Sequence, residues 1–353
     1  MRFIHTADLH LGAAPDPGFP WAGERAAAVR DSLSSVLAIA EKEGAQLLLI
    51  AGDLFHHQPL KSELEEAACL FGQLPDCRVV IIAGNRDYIT ETSAYPDFKW
   101  PENVYFITSP VLSSVYFEDI NTEVHGFSYH KREYKEPLLD DLRAPADGRI
   151  HILLAHAGDS AHVPLKLTAL AGSGFDYIAL GHIHQPRVYK NTRIAICGSP
   201  EPLDRTEGGG HGCLMGDLTK EDLDLTWRTV SATRYREQSF TVTPETTGYA
   251  LAAAIKGELA AHPSDIYRLT LSGQRDPDFI FDTDAVMALG RIIEVTDMTE
   301  PAYDLQALMA EHSGDLIGHY IRALSGAEAT PTMKKALYYG LRALLESGLE
   351  KRA

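Results

Sequence analysis

The stretch RVVIIAGNRD, residues 78–87, is a short run of apolar, largely β-branched residues that stops at a polar turn. A run of this length and composition predicts a buried β-strand. The turn places Asn85, Arg86 and Asp87 side by side. Asparagine and aspartate can bind a metal ion, whereas a permanently charged arginine suits a phosphate. The role of the turn therefore depends on which other residues meet Asn85.

Four further stretches repeat the pattern of an apolar run that ends in Gly, Asp, Asn or His. They are RFIHTAD (2–8), QLLLIAGD (46–53), RIHILLAHAG (149–158) and YIALGHIH (177–184). Apolar stripes over residues 26–40, ended by Gly44, and over 60–71 predict two helices between the strands. Short alternating runs at about 100–130 and 187–240 predict further, partly antiparallel strands. The first 238 residues are therefore expected to form an α/β domain.

Composition favours an ordinary globular protein of 353 residues, with 45% hydrophobic and 23% charged residues. No apolar run approaches the ~20 residues that a membrane crossing needs. The start, MRFIHTADLH, is polar too early for a signal peptide. Four cysteines without a C-x-x-C pair suit a reducing cytoplasm, which is the expected location.

The net charge of −17 argues against a general nucleic-acid binder, because neutralising phosphates requires clustered Lys and Arg. It does not exclude a nucleic-acid enzyme with a local contact surface. The densest basic run is HKREYK, residues 130–135. This run, Arg187 and Arg205 can contact a nucleic-acid backbone or can simply be solvated.

The composition changes after SFTVTPETTG, residues 239–248. Residues 239–300 predict a small α/β module, with helices near 249–260 and 284–289 and strands at 266–273 and 292–297. Residues 301–353 are predicted to be helical. There, Thr330 is an expected N-cap followed by Pro331 at the first helical position. The apolar stripes in this segment fit either packing in the chain's own core or binding of a partner.

The chemistry is concentrated where the predicted strands end. In an open α/β sheet, ligands bind at the carboxyl ends of the strands. Asp8 and His10, at i and i+2 of an extended segment, point the same way and can chelate one ion. Mixed nitrogen and oxygen donors suit Mn, Fe or Zn better than Ca or Mg. The expected metal ligands are Asp8, His10, Asp53, Asn85, His156, His182 and His184.

The series D-x-H, GD, GN-x-D, H and GHxH resembles the calcineurin-like metallophosphoesterase superfamily. TADLHLG (6–12), AGDLFH (51–56) and ALGHIH (179–184) resemble its DNA-repair exonuclease branch, the SbcD-like nucleases. WPENVYF (100–106), HGFSY (125–129), GFDYIALGHIH (174–184) and KKALYYGL (334–341) are similar to the bacterial YhaO-type members. The resemblance covers nearly the whole chain and is loosest after residue 240.

This resemblance implies a four-layer α/β/β/α sandwich with a dinuclear metal site over residues 1–238. A small α/β capping domain (239–300) and a helical C-terminal segment (301–353) would follow. By this resemblance Asp8, His10 and His184 would hold one ion. Asn85, His156 and His182 would hold the second, and Asp53 would bridge the two. The expected cofactors are two divalent ions, Mn²⁺ in the first place, with Fe or Zn as alternatives.

The resemblance also assigns catalytic residues, with one departure from the family. The family motif is GNHD, and its histidine stabilises the transition state and protonates the leaving oxygen. Arg86 takes that place here, and an arginine cannot act as a general acid near neutral pH. His56 matches a family histidine near the substrate phosphate, although it can instead cap its loop. The expected catalytic residues are Arg86, His56 and Asp87, and the expected substrate contacts are Arg86, His56 and Arg205.

The function implied by the resemblance is a DNA repair exonuclease, with activity lowered by Arg86. The expected partners are DNA and an SbcC-like coiled-coil ATPase bound through the C-terminal helices, and homodimerisation is left open. Two alternatives remain. One is a phosphoesterase for a small molecule, and the other is a non-catalytic, metal-binding scaffold in a DNA repair complex.

Overall fold

Residues 1–325 and 330–347 are the part of the chain that the computed structural model describes. The chain divides after Tyr235 into two units, Met1–Tyr235 and Arg236–Ala353. The predicted division into residues 1–238, 239–300 and 301–353 stays a prediction. Part of its last segment, residues 326–329 and 348–353, lies outside the described residues.

In the first unit, strands and helices alternate over residues 2–82 as predicted, and strands predominate after residue 82. Its strands are β1 (Arg2–Thr6), β2 (Leu47–Ala51), β3 (Arg78–Ile82), β4 (Val104–Phe106), β5 (Ser113–Phe117), β6 (Thr122–Gly126), β7 (Ile150–His156), β8 (Tyr177–Gly181), β9 (Arg187–Val188), β10 (Ile194–Ile196), β11 (Gly212–Leu218) and β12 (Leu223–Thr229). Its α-helices are α1 (Ala22–Glu43), α2 (Lys61–Phe71) and α3 (Leu167–Ala171).

These strands form two six-stranded sheets. One has the order β12-β11-β1-β2-β3-β4 and the other the order β5-β6-β7-β8-β10-β9. β1, β2, β3 and β4 are parallel neighbours, as are β6, β7, β8 and β10. Antiparallel strands lie at the edges, where β11 pairs with β1 and β5 pairs with β6. The prediction of a mixed α/β core is confirmed.

Alternate residues along each strand face different layers, and this produces the sandwich. On β2, Leu48 and Ile50 pack in one buried cluster with side chains of α1 and α2. Leu47 and Leu49 pack in a second cluster with Ile152 and Leu154 of the other sheet. The outer face of that second sheet packs against α3 and neighbouring loops in a third cluster. The layers are therefore α/β/β/α, and the predicted four-layer sandwich is confirmed.

The second unit has its own sheet. Its elements are β13 (Tyr235–Val242, beginning at the last residue of the first unit), α4 (Gly248–Ala261), β14 (Ile266–Arg275), α5 (Thr283–Met287), β15 (Ile292–Asp297), β16 (Glu300–Pro301), α6 (Leu305–Glu311), α7 (Leu316–Leu324) and α8 (Pro331–Glu346). The sheet order is β13-β14-β15, and β16 pairs with β14. The helices and strands predicted within residues 239–300 are confirmed. None of the described helices has the length and apolar character that a membrane crossing needs.

The helical end of the chain packs on itself. Leu337 and Leu341 of α8 lie in a buried cluster with Ile317 and Ile321 of α7. Thr330 caps α8 through its side-chain oxygen, which accepts a hydrogen bond from the backbone N–H of Met333 at 3.3 Å. The predicted N-cap is confirmed. The inner part of the apolar stripe on α8 belongs to the chain's own core.

Candidate metal centre

Polar side chains lie at, or just beyond, the carboxyl ends of β1, β2, β3, β7 and β8. The first three strands are parallel neighbours in one sheet, and the last two are parallel neighbours in the other. Residues that follow parallel strands reach the same edge of a sheet. The structure brings together all seven predicted ligands: Asp8, His10, Asp53, Asn85, His156, His182 and His184.

One group of donors surrounds His10. Its Nε2 lies 3.1 Å from Nε2 of His184, 3.7 Å from Oδ2 of Asp53 and 4.0 Å from Oδ1 of Asp8. Ligand atoms of Asp8, His10 and His184 all lie within 4.8 Å of one another. This spacing fits one ion held by two imidazoles and carboxylate oxygen.

A second group surrounds Asn85. Its Oδ1 lies 2.8 Å from Nε2 of His156 and 3.2 Å from Nδ1 of His182. Oδ2 of Asp53 lies 3.5 Å from the same nitrogen of His156. Because this oxygen is also 3.7 Å from His10, Asp53 lies between the two groups. Its carboxylate therefore lies within reach of both groups.

The backbone at these residues adopts an unusual conformation. Asp8, His10, Asp53 and His182 have φ values of 52°, 48°, 49° and 92°. Residues other than glycine rarely adopt positive φ, at a cost of roughly 1–3 kcal/mol each, and such residues cluster at functional sites. Four ligand candidates in this region indicate that the loops are shaped to aim donor atoms, at some expense in stability.

Glycines precede the ligands because the loops pack very closely. A Cβ on Gly84 would overlap the carboxylate of Asp53, and a Cβ on Gly52 would overlap the imidazole of His156. Only glycine lets the backbone approach a side chain this closely. The GD and GN dipeptides of the sequence are thus required by the packing of the centre itself.

Burial sets the electrostatics of the carboxylates. Asp8 and Asp53 are 1% and 2% exposed. Removal from water penalises the negative charge and raises the pKa of Asp8 to about 6 and that of Asp53 to about 7. Burial also lowers the pKa of His156, so its neutral, ligating form is favoured. Buried carboxylates normally pair with cations or coordinate metals. The donor set therefore fits two divalent ions.

Outer contacts orient the histidines. Nε2 of His182 lies 2.8 Å from Oδ2 of Asp159, and Nδ1 of His184 lies 2.7 Å from Oε1 of Glu207. Nδ1 of His156 lies 2.9 Å from the carbonyl oxygen of Ala51. In each case one ring nitrogen is engaged and the other faces the donor groups. Such partners fix the ring orientation and raise the basicity of a metal ligand.

Sequence reasoning missed these outer residues. Asp159 also lies 2.9 Å from Nδ1 of His162, and both follow His156 within six residues, a signal that was available in the sequence. Glu207 begins EGGGHG, a segment whose glycines alone gave no indication of a contact with His184. Burial by itself would lower the pKa of His184, but the hydrogen bond to Glu207 and nearby negative charges raise it to about 9.

Replacing Glu207 by Gln should lower the affinity for one Mn²⁺ by about 10–100-fold, because His184 loses a negatively charged partner. Mn²⁺ titration of the metal-stripped protein by calorimetry measures this. Glu221→Gln, at an exposed position, is the matched control. If Glu207→Gln and Glu221→Gln lower the Mn²⁺ affinity equally, or if neither lowers it, the assignment of Glu207 to His184 is wrong.

The predicted catalytic residues Arg86 and His56 lie next to the donor groups. The backbone N–H of Arg86 donates to Oδ1 of Asp53 at 2.8 Å, while its side chain is exposed. Nδ1 of His56 lies 3.4 Å from Nδ1 of His10. Burial and the positive charge of Arg86 lower the pKa of His56. Arg205 is exposed and is not among the residues that line the cavity described below.

Asp87 is fully buried and holds the turn in place. Its Oδ1 accepts from the backbone N–H of Gly84 at 2.8 Å. Its Oδ2 accepts from the N–H of Phe55 at 3.1 Å and from the hydroxyl of Tyr95 at 2.9 Å. These contacts join the turn after β3 to the loop after β2. They indicate a positioning role, and the predicted catalytic role of Asp87 stays a prediction.

A cavity of about 310 Å³ opens over the centre. Arg132, Glu133 and His162 line it although sequence reasoning did not place them at the site; Arg132 and Glu133 belong to the HKREYK run. The full lining is His10, Asp53, Asn85, Arg86, Arg132, Glu133, His162, His182 and His184. Arginine side chains beside a metal centre suit an anionic ligand.

Comparison with known families identifies the domain. Residues 1–186 match the model of the calcineurin-like phosphoesterase family, and this span includes all seven ligand candidates. The chain belongs to the calcineurin-like phosphoesterase family. The resemblance in the motifs is thereby confirmed. The ligand roles of the individual residues, and the identity of the metal, stay predictions.

Relatives within the calcineurin-like phosphoesterases include uncharacterized and nuclease members. YhaO of Bacillus subtilis, an uncharacterized metallophosphoesterase, is 30% identical over 245 residues, 63% of this chain and 59% of YhaO. The DNA double-strand break repair protein Mre11 of Methanopyrus kandleri is 25% identical over 60% of this chain and 52% of Mre11. SbcD, a component of the Escherichia coli nuclease SbcCD, is 26% identical over 59% of this chain and 62% of SbcD. The chain thus spans between about half and two thirds of the curated relatives it matches.

Proposed function

We propose that this protein is a dinuclear metal-dependent phosphodiesterase that hydrolyses DNA, as an SbcD-like DNA repair exonuclease. The observation that carries the dinuclear part is the position of Asp53 Oδ2, 3.7 Å from His10 and 3.5 Å from His156. The DNA part is supported by the names of two relatives, a double-strand break repair protein and a component of a nuclease.

The proposed ligand sets follow the two donor groups. Asp8, His10 and His184 would hold one ion, Asn85, His156 and His182 would hold the second, and Asp53 would contribute to both. Mn²⁺ is the proposed metal, with Fe or Zn as alternatives, because the donors mix imidazole nitrogen with carboxylate and amide oxygen. When bound, two ions neutralise the phosphodiester oxygens and activate a water for in-line attack.

The side chains around the cavity act on the substrate. Hydrolysis breaks a P–O bond, and the leaving oxygen must gain a proton. The guanidinium of Arg86 can place positive charge on the scissile phosphate but has no proton to give at neutral pH. His56, half-buried beside His10, is a further candidate for a phosphate contact.

The test is hydrolysis by the Mn²⁺-loaded protein of linear DNA and of bis(p-nitrophenyl) phosphate, in parallel. We expect both to be cleaved, with DNA degraded from its ends. Asp53→Asn, loaded in the same way, is the control for contaminating nucleases. Cleavage of the small ester without cleavage of DNA would instead support a small-molecule phosphoesterase.

One observation favours a second function, a non-catalytic metal-binding scaffold in a DNA repair complex. Arg86 stands where the family has its proton-donating histidine, so the centre can bind a phosphate without completing the reaction. Tight binding of DNA ends, with no cleavage of either substrate at full metal occupancy, would support this alternative.

The proposed partners are DNA and an SbcC-like coiled-coil ATPase, and the proposed location is the cytoplasm. The four cysteines are free thiols, which suits a reducing compartment. Because Leu337 and Leu341 are buried in the cluster with α7, only the outer face of α8 is free for the ATPase. Tyr339 on that face is 77% exposed.

Tyr339→Ala should weaken co-purification with the ATPase while changing the free energy of unfolding by about 0.5 kcal/mol or less. Leu341→Ala should cost about 2–5 kcal/mol, because it opens a cavity in a packed cluster. Pull-down and chemical denaturation of both variants measure the two effects. If Tyr339→Ala binds the ATPase like the wild type, the outer face of α8 is not the docking surface.

A further inference from the structure

Two arginines from different loops line the cavity. Arg86 lies in the turn after β3, and Arg132 lies in the HKREYK run after β6. Both line the cavity together with five of the metal-ligand candidates. Within the described part of the chain, neither side chain forms a hydrogen bond or an ion pair. In a chain with a net charge of −17, acidic partners are abundant, so unpaired arginines at one cavity are a specific feature.

The other cations of the HKREYK run are paired. Lys131 lies 3.8 Å from Glu136 and 4.4 Å from the centre of the Tyr134 ring. Lys135 lies 3.1 Å from Glu133, so the one carboxylate of the run that lines the cavity already has a cation. Arg132 is thus the charge of this run that is left for a ligand.

The loop that carries Arg132 is anchored to the metal centre. Tyr134 donates its backbone N–H to the carbonyl oxygen of Ala161 at 2.8 Å and accepts from the N–H of Val163 at 2.7 Å. The Tyr134 ring packs edge-on against Tyr129, with centroids 4.8 Å apart. The hydroxyl of Tyr129 donates to the carbonyl oxygen of His156 at 2.7 Å. The backbone at Tyr134, two residues from Arg132, is therefore fixed relative to the ligand candidate His156.

The partner segment of this anchor is strained, which supports a positioning role. Val163 is buried and has a φ of 48°. A β-branched residue in the left-handed region is a genuine outlier and persists only where its surroundings hold it. The hydrogen bond from Val163 to Tyr134 is one of the contacts that hold it.

We propose that Arg132 binds a phosphate adjacent to the scissile one, and that the cavity thereby selects phosphodiesters that carry a neighbouring phosphate, as a nucleic-acid strand does. A guanidinium binds phosphate oxygens through two parallel, charge-assisted hydrogen bonds. Arg86 contacts the scissile phosphate, and Arg132 contacts the next phosphate of the same strand. This inference rests on the proposed phosphodiesterase function and assigns a residue that recognises the strand next to the scissile bond.

The test compares three probes with the same scissile bond: the dinucleotide TpT, and its forms with one extra phosphate at the 5′ or the 3′ end. For Mn²⁺-loaded wild type we expect kcat/KM to be at least ~10-fold higher for one of the phosphorylated forms, since a charge-assisted hydrogen bond to phosphate is worth about tenfold or more. Arg132→Gln should bring this ratio close to one, and Arg132→Lys should restore part of it because it returns the charge without the bidentate geometry. Lys131→Gln removes a charge from the same run, and because neither Lys131 nor its partner Glu136 lines the cavity, this variant should keep the wild-type ratio.

Binding of the three probes is measured beside cleavage, by calorimetry with a phosphorothioate linkage at the scissile position. If the wild type binds the phosphorylated probe more tightly and Arg132→Gln abolishes that preference, Arg132 is the contact, even if no probe is cleaved and the proposed hydrolysis fails. If cleavage occurs but the ratio in Arg132→Gln stays at the wild-type value, the function stands and the role of Arg132 is wrong. Equal ratios in Lys131→Gln and Arg132→Gln would show an effect of net charge alone and would also overturn the role of Arg132.

Discussion

Asp53→Asn is expected to lose metal from both positions and to lower Mn²⁺-dependent hydrolysis by more than about 100-fold. The reason is that one oxygen of Asp53 faces both donor groups, and an amide is a weaker ligand than a carboxylate. The substitution keeps Oδ1, which accepts the N–H of Arg86, so the turn should remain in place. Metal content after dialysis, together with initial rates on DNA, measures the effect.

Asp8→Asn is the matched comparison for the bridging role. Asp8 lies 4.0 Å from His10 and also accepts the backbone N–H of His182. Its replacement should mainly empty the position held by His10 and His184. Retention of two equivalents of metal by Asp53→Asn, or identical losses in both variants, would contradict a single bridging carboxylate at Asp53.

Arg86→His is expected to raise single-turnover cleavage by at least ~10-fold, a modest share of the 10²–10⁴-fold that general acid catalysis contributes. The histidine would supply a proton that the guanidinium cannot give at pH 7. The side chain of Arg86 is exposed and the turn is held by its backbone N–H, so the substitution should not disturb Asn85 or Asp53.

Arg86→Ala distinguishes the effect of the positive charge at this position from the effect of a proton donor. It should weaken phosphate binding without a gain in rate, because it removes the positive charge and adds no proton donor. All three proteins are compared at saturating metal, with occupancy determined for each. Equal rates for the wild type and Arg86→His would mean that the proton comes from another group and that Arg86 is a working replacement for the histidine.

Most of the first unit could be predicted from local sequence. The parallel strands are short apolar runs because they are buried on both faces, and the runs of β2 and β3 stop where a glycine admits the close-packed side chain of His156 or Asp53. Gly44, at a φ of 64°, ends α1 where the apolar stripe stops. These signals are local, and they placed all seven ligand candidates at the ends of the correct strands.

Contacts between segments far apart in the chain could not be predicted in this way. The GNRD turn gave no sign that the carboxylate of Asp87 accepts hydrogen bonds from Phe55 and Tyr95, and the predicted catalytic role of Asp87 stays a prediction. From the sequence, the apolar stripe on α8 could either bind a partner or pack in the chain's own core. Leu341 packs against α7, so the inner face of α8 belongs to the core.

The sequence by itself determined the fold class, the order of the strands along the chain and the candidate donor residues, because burial and turn chemistry are encoded over a few residues. Only the tertiary structure decided how those donors are supported. Glu207 reaches His184 from 23 residues away, and Asp53 meets His156 across two sheets. Arg132 lines the cavity together with Arg86, and the loop that carries Arg132 is anchored by backbone hydrogen bonds of Tyr134 with Ala161 and Val163. Side chains from separate loops converge only when the sheets are packed, and no local pattern encodes that distance.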